Sequence, residues 1–181
     1  LHGPKGCGFL YKKDGINITP IIYGGGQESL LRSGTENVPA IAGTGEAVAE
    51  YFDGVNEHRD KLYELKRTFL DNISDIENVR VNGLSDKRSA PHIVSLTAKG
   101  IRAEVLLHAL EDKGVYVSAG SACSSNKPSK SRTLMAMGLS DEDLSSTVRF
   151  SFSIYNTMDE VRFAIDALKE VIPVLSKFKR R

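Results

Sequence analysis

Val148-Arg149-Phe150-Ser151-Phe152-Ser153-Ile154 alternates apolar and polar side chains along its whole length. A strand repeats every two residues, so Val148, Phe150, Phe152 and Ile154 face a core while Arg149, Ser151 and Ser153 face the other way. Directly after it comes the capping box Thr157-Met158-Asp159-Glu160, in which hydroxyl and carboxylate each satisfy a backbone N–H that the first helical turn leaves free. A helix is therefore expected from this point, with Val161, Ile165, Leu168 and Ile172 on its buried side. Pro173 is expected to kink or end its regular part.

Working back from this pair, the same two periods recur. Residues 79–81 and 91–97 read as strands, with Ile93 and Val94 central in the second. Residues 102–113 form an amphipathic helix that turns Ala103, Leu106, Leu107 and Leu110 to the core, and Gly114 stands where a left-handed cap is needed. Val115-Tyr116-Val117 is a further short strand. A stretch of small residues, 118–131, follows, and then a short helix over 132–137 that stops at Gly138. Residues 77–181 are thus an α/β domain with a mostly antiparallel sheet covered by helices.

Upstream, a helical pattern runs over 37–76. Asn37 is its cap, Pro39 lies in its first turn, and Ile41, Val48, Phe52, Leu62, Leu65, Phe69 and Ile73 lie on one side. Gly54 is a place for it to kink or divide. A helix this long suits a strut between two lobes. In residues 1–36, two short strands are expected, 8–13 and 16–23, before Gly24-Gly25-Gly26 breaks regular structure. The chain opens at Leu1 inside a Gly-, Pro-, His- and Lys-rich stretch with no lead-in element, which reads as a cut within a longer protein.

The 181 residues carry a formal net charge of +1, which argues against a nucleic-acid or anionic-membrane partner. The sequence contains no apolar run of membrane-spanning length and no signal-peptide pattern, so a cytoplasmic location is expected. Its two cysteines, Cys7 and Cys123, are far apart and form no Cys-x-x-Cys, which leaves packing or reactivity as their role. His2, His58, His92 and His108 show no metal-ligand spacing, and no metal is expected. Gly43-Thr44-Gly45 lies inside a helical pattern, so it lacks the preceding strand that a dinucleotide fingerprint requires.

Three places could carry chemistry. Cys123 lies among small polar residues with Lys127 nearby, a setting for an accessible thiol that a cation can help ionise; the alternative is a cysteine that merely packs. Arg149 is the charged residue of its strand. It suits bidentate binding of a carboxylate or phosphate, or else an edge-strand arginine in solvent or paired with Asp141 or Glu142. The stretch Ser33-Gly34-Thr35-Glu36-Asn37 is rich in donors before a helix N-terminus and could meet a phosphate, or could be a flexible surface loop.

Four segments resemble, in order, those of the cysteine desulfurases, in the class-V aminotransferase group of fold-type I pyridoxal-phosphate enzymes. These are Leu1-His2-Gly3-Pro4-Lys5-Gly6-Cys7-Gly8-Phe9-Leu10-Tyr11, Gly24-Gly25-Gly26-Gln27-Glu28 with Arg32-Ser33-Gly34-Thr35-Glu36-Asn37, Ser118-Ala119-Gly120-Ser121-Ala122-Cys123-Ser124-Ser125, and Thr147-Val148-Arg149-Phe150-Ser151. The resemblance implies that residues 1–36 are a strip of the large cofactor-binding domain, 37–76 the interdomain helix, and 77–181 the C-terminal small domain. It implies Cys123 as the catalytic nucleophile that becomes a persulfide as L-cysteine becomes L-alanine. Arg149 would bind the substrate carboxylate, and Thr35 the phosphate of pyridoxal 5'-phosphate in a neighbouring subunit of a homodimer. The sulfur would pass to acceptor proteins such as an iron–sulfur scaffold, or to thio-cofactor or tRNA thiolation. The Schiff-base lysine of the family falls just before Leu1, so the chain alone is expected to be inactive. The alternative is a non-catalytic sulfur-carrier or partner-docking module.

Overall fold

The computed structural model describes residues 2–119 and 131–178. Chain contacts divide it into two compact units, residues 1–55 and 56–181.

In the second unit the alternating stretch becomes the strand β4 (Thr147–Ser151), and its neighbours follow from its two-faced character. The strands β1 (Val79–Asn82), β2 (Ile93–Ala98) and β3 (Ser118–Ala119) join it in the order β1-β2-β4-β3, every pair antiparallel. Residues opposite one another in a ladder project from the same face. One row therefore reads Val81, Leu96, Val148, Ala119, and the next row out pairs Val94 with Phe150. Leu96 and Val148 are fully buried. The apolar rows are covered by α2 (Val55–Ile73), α3 (Ala103–Glu111) and α6 (Met158–Ser176), which supply Leu65, Phe69, Ile73, Leu106, Leu110, Ile165, Leu168 and Ile172 to one continuous core. Phe69 packs against Phe150 with ring centroids 4.8 Å apart and the planes tilted by 47°, and it meets Phe152 edge-on at 5.6 Å, the T-shaped geometry that aromatic quadrupoles prefer. The expected mostly antiparallel α/β architecture is observed.

The helix ends are where the residue types placed them. Gly114 takes φ +81°, the left-handed cap geometry that an L side chain adopts only with strain. The Thr157 hydroxyl accepts from the Glu160 N–H at 3.2 Å, and the Glu160 carboxylate accepts from the Thr157 N–H at 2.8 Å. Helix α6 runs past Pro173 to Ser176 instead of ending there. The proline removes one hydrogen bond in the last two turns, where Val171 and Ile172 are already buried. The short helices α4 (Arg132–Ala136) and α5 (Asp141–Ser145) are capped by Ser131 and Ser140. Helix α5 is too short to show a period in sequence.

The first unit is less regular. Asn37 caps α1 (Val38–Phe52), accepting from the Ala40 N–H. The helical stretch divides after Phe52, with Gly54 at φ +82° before α2 begins. A Cβ at Gly43 would meet Pro4 at 2.9 Å, and Thr44 lies against Gly3, so Gly43 and Thr44 pack against the 3–4 segment. The strands expected over 8–13 and 16–23 are not formed, and no described residue of this unit offers them a ladder. Their side chains stay in water, Phe9 82%, Tyr11 82% and Ile21 89% exposed. Ile41 and Phe52 are also exposed, so the expected apolar stripe is buried along α2 and not along α1. The residues 115–117 expected as a strand precede β3, which among the described residues pairs through Ser118 and Ala119.

Two consequences can be measured by urea unfolding of the chain. Thr157→Ala removes an N-cap and should cost about 1 kcal/mol. The hydrogen bonds to Glu160, the Thr157 N–H first and the Asn156 amide second, hold its carboxyl below the ordinary glutamate value. A carboxylate whose folded pKa is depressed adds stability that is present above the unfolded pKa and is lost as pH falls through the folded one. Glu160→Ala should therefore destabilise at pH 7, and its difference from the parent should shrink at pH values well below about 4.

Candidate functional site

The face of the sheet opposite the core is polar. Its central row is Asn82, Ser95, Arg149, Ser118, and the next is Arg80, Thr97, Thr147. Such a face is normally left to solvent. Here it forms the floor of a cavity of about 620 Å³, walled by the 83–90 segment on one side and by α4 on the other. Among the described residues its lining holds two charged ones, Arg149 and Lys66, and no acidic one. Ala119 and Ser131, the described residues on either side of 120–130, both line it.

Arg149 belongs to an interior strand, flanked by Ser95 of β2 and Ser118 of β3. The reading as an edge-strand arginine is excluded. Among the described residues its side chain makes no hydrogen bond or ion pair, so neither Asp141 nor Glu142 neutralises it. Its guanidinium is exposed at the cavity on a backbone held from both sides, and its planar donor fork is available to a bidentate anion.

Beneath it the hydroxyls form a directed chain. The Thr147 hydroxyl donates to the Asp143 carbonyl at 2.6 Å. Its only hydrogen being used, it accepts from Thr97 at 2.7 Å, and Thr97 in turn accepts from the Asn82 amide at 2.8 Å. Thr97 and Thr147 are 0% and 2% exposed, so each polar atom of this floor needs its partner. Arg80 reaches Asp143 at 2.9 Å and ties α5 to the edge strand β1.

Lys66 was not among the residues that composition singled out. It is buried on α2, where its ammonium donates to Ser89 Oγ at 2.8 Å and to the Ala90 carbonyl at 2.9 Å. Burial pushes its pKa below the usual lysine value. The signal was present in the helical repeat, since a lysine stands on the stripe of Leu62, Leu65, Phe69 and Ile73. Asn82, Thr97 and Thr147 were also missed, and for them no such signal exists, because their pairing depends on a register that no single strand displays.

Cys123 lies outside the described residues. Cys7 is a half-buried free thiol in the first unit. Thr35, also in the first unit, is exposed in the coil that precedes α1. Lys5 is an exposed turn residue, and the Asn37 side chain already occupies the N-terminus of α1. These residues do not by themselves make a seat for pyridoxal phosphate, because one exposed hydroxyl cannot hold a dianionic phosphate and an aromatic ring. Among the described residues no three His, Cys, Asp or Glu side chains gather as a metal site, and no helix is long and apolar enough to cross a membrane.

Residues 1–163 match the family model described as Aminotransferase class-V. The chain is similar to the NifS/IcsS protein homolog of Lactobacillus delbrueckii subsp. bulgaricus, 39% identical over 98% of the chain and 46% of that protein. It is 40% identical to cysteine desulfurase IscS 1 of Archaeoglobus fulgidus, over 96% of the chain and 44% of that protein. Among solved structures it is similar to one titled NIFS-like protein, with a TM-score of 0.84 and 30% identity, covering 96% of this chain and 44% of that one. The chain thus spans somewhat less than half the length of the relatives it matches.

The hydroxyl chain makes a specific demand. Thr97→Val keeps the shape but leaves the Thr147 and Asn82 partners incomplete in a buried place. It should cost about 1–3 kcal/mol in urea unfolding, with the amide signals of β1 and β4 moving together. A neutral substitution would mean that the floor is hydrated rather than closed.

Proposed function

The chain belongs to the class-V aminotransferase family, and from that premise we propose that it is the C-terminal portion of a cysteine desulfurase whose substrate carboxylate is gripped by Arg149. One observation carries this reading. An arginine without a partner among the described residues stands centrally in the floor of a cavity whose rim includes both neighbours of the 120–130 segment, which holds Cys123.

The proposed division of labour follows from the chemistry of each group. Arg149 orients an α-amino acid by its carboxylate. Pairing with Ser95 and Ser118 fixes the backbone on both sides of it, so the point from which the fork reaches out does not move on binding. Cys123, as the thiolate, attacks the sulfur of L-cysteine. A sulfur–sulfur bond forms, the carbon–sulfur bond breaks, and the carbon takes a proton. L-cysteine and a thiol thus become L-alanine and a persulfide, with no external oxidant. Pyridoxal phosphate, which the family implies, supplies the electron sink when bound. The residues described here do not hold it unaided, so the chain alone is proposed to be inactive, and Thr35 to offer one phosphate contact across a homodimer. The persulfide is proposed to pass, in the cytoplasm, to an acceptor protein of iron–sulfur assembly or thiolation.

The test is kinetic, in the longer protein. Arg149→Lys keeps the charge but loses the planar fork. KM for L-cysteine should rise, with a cost of about 2–4 kcal/mol in kcat/KM. Unchanged kinetics would place the carboxylate elsewhere.

A further inference from the structure

Lys66 occupies a position that the helical repeat of α2 gives to apolar residues. It lies one turn after Leu62 and just under one turn before Phe69, and it is 4% exposed. An ammonium taken out of water needs its N–H groups satisfied and its charge answered. It carries three donors. Ser89 Oγ and the Ala90 carbonyl take two of them, and both partners are neutral. Among the described residues no carboxylate lies within ion-pair distance of it. The groove on its other side includes Glu57, Asp60, Glu64 and Asp86, yet none of these reaches Nζ, and Asp86 is engaged with Arg88.

Lys66 therefore brings a spare donor and an unanswered charge to a cavity whose only other charged lining residue among those described is Arg149. The two are also linked through the backbone. Ser89 and Ala90, which Lys66 holds, lead within a few residues into β2, whose Ser95 stands opposite Arg149. A cavity that carries two cations and, among the described residues, no acidic side chain favours an anion.

We propose that Lys66 and Arg149 form one anion seat for a small carboxylate, with Lys66 as a binding residue in its own right. This deepens the desulfurase reading, on which it rests for the carboxylate being that of an α-amino acid.

The experiment is a titration of the 181-residue chain with sodium acetate, followed by nitrogen-15 NMR, with sodium chloride at equal ionic strength as control. The Arg149 side-chain signal, the Lys66 ammonium signal and the Ser89 and Ala90 amides should shift saturably with one dissociation constant. Lys66→Gln is one bond shorter, keeps two N–H donors for Ser89 and Ala90, and removes the charge. It should weaken acetate roughly tenfold, the scale of one charge-assisted hydrogen bond, and Lys66→Arg should restore binding to within about threefold. Arg149→Gln should weaken it as well. If Arg149→Gln weakens acetate and Lys66→Gln does not, Lys66 is no part of the seat, and the desulfurase reading stands. If only Lys66 matters, the shared seat and the carboxylate role of Arg149 both fall. The ammonium signal of the parent chain decides the matter even if Lys66→Gln does not fold, since its failure to follow the acetate titration overturns the proposal.

Discussion

The register of β2 against β4 is the constraint on which the second unit depends. Leu96 opposite Val148 and Ser95 opposite Arg149 are consequences of one alignment. A slip of one residue would turn Arg149 into the contacts now made by Phe69 and would expose Val148 and Phe150 to water. Burial of Leu96, Val148 and Phe150 against three helices therefore does two things at once. It holds the fold together, and it fixes the side of the sheet on which the guanidinium stands.

The polar face is organised more tightly than exposure alone requires. Thr97 and Thr147 are as buried as the core, and their hydrogens run in one direction, from Asn82 to the Asp143 carbonyl. A floor with its own hydrogen bonds complete does not compete for Arg149, which stays free to meet a ligand. Lys66 shows the reverse arrangement on the adjoining wall, where a charge is buried against neutral partners. Satisfied dipoles beneath and unanswered cations above are what a site for a small anion requires.

How much of this was legible before the structure differs by element. Strand β4 and helix α6 were readable from Val148 to Ile172 because alternation, capping box and helical repeat all agree there. The short strand β3 and helix α5 were not, since two or five residues carry no period. Residues 8–23 have strand-like composition but form no strand, because a ladder needs a partner that no described residue provides. Arg149 could be named as a candidate from its place in an apolar strand, but its interior position could not, as that depends on which strands flank it. Lys66 could be seen to stand on an apolar stripe, but its partners and the threonine pair are visible only once residues 66 and 90, or 97 and 147, are brought together.

In the proposed reaction the thiol of Cys123 is the group that takes the sulfur. The direct measurement is peptide mass mapping of the longer, cofactor-loaded protein after brief exposure to L-cysteine, with the persulfide trapped by alkylation. One added sulfur atom on the peptide that contains Cys123, lost in Cys123→Ser, is the predicted result. Sulfur recovered on the Cys7 peptide, or L-alanine formed at an undiminished rate in Cys123→Ser, would contradict it.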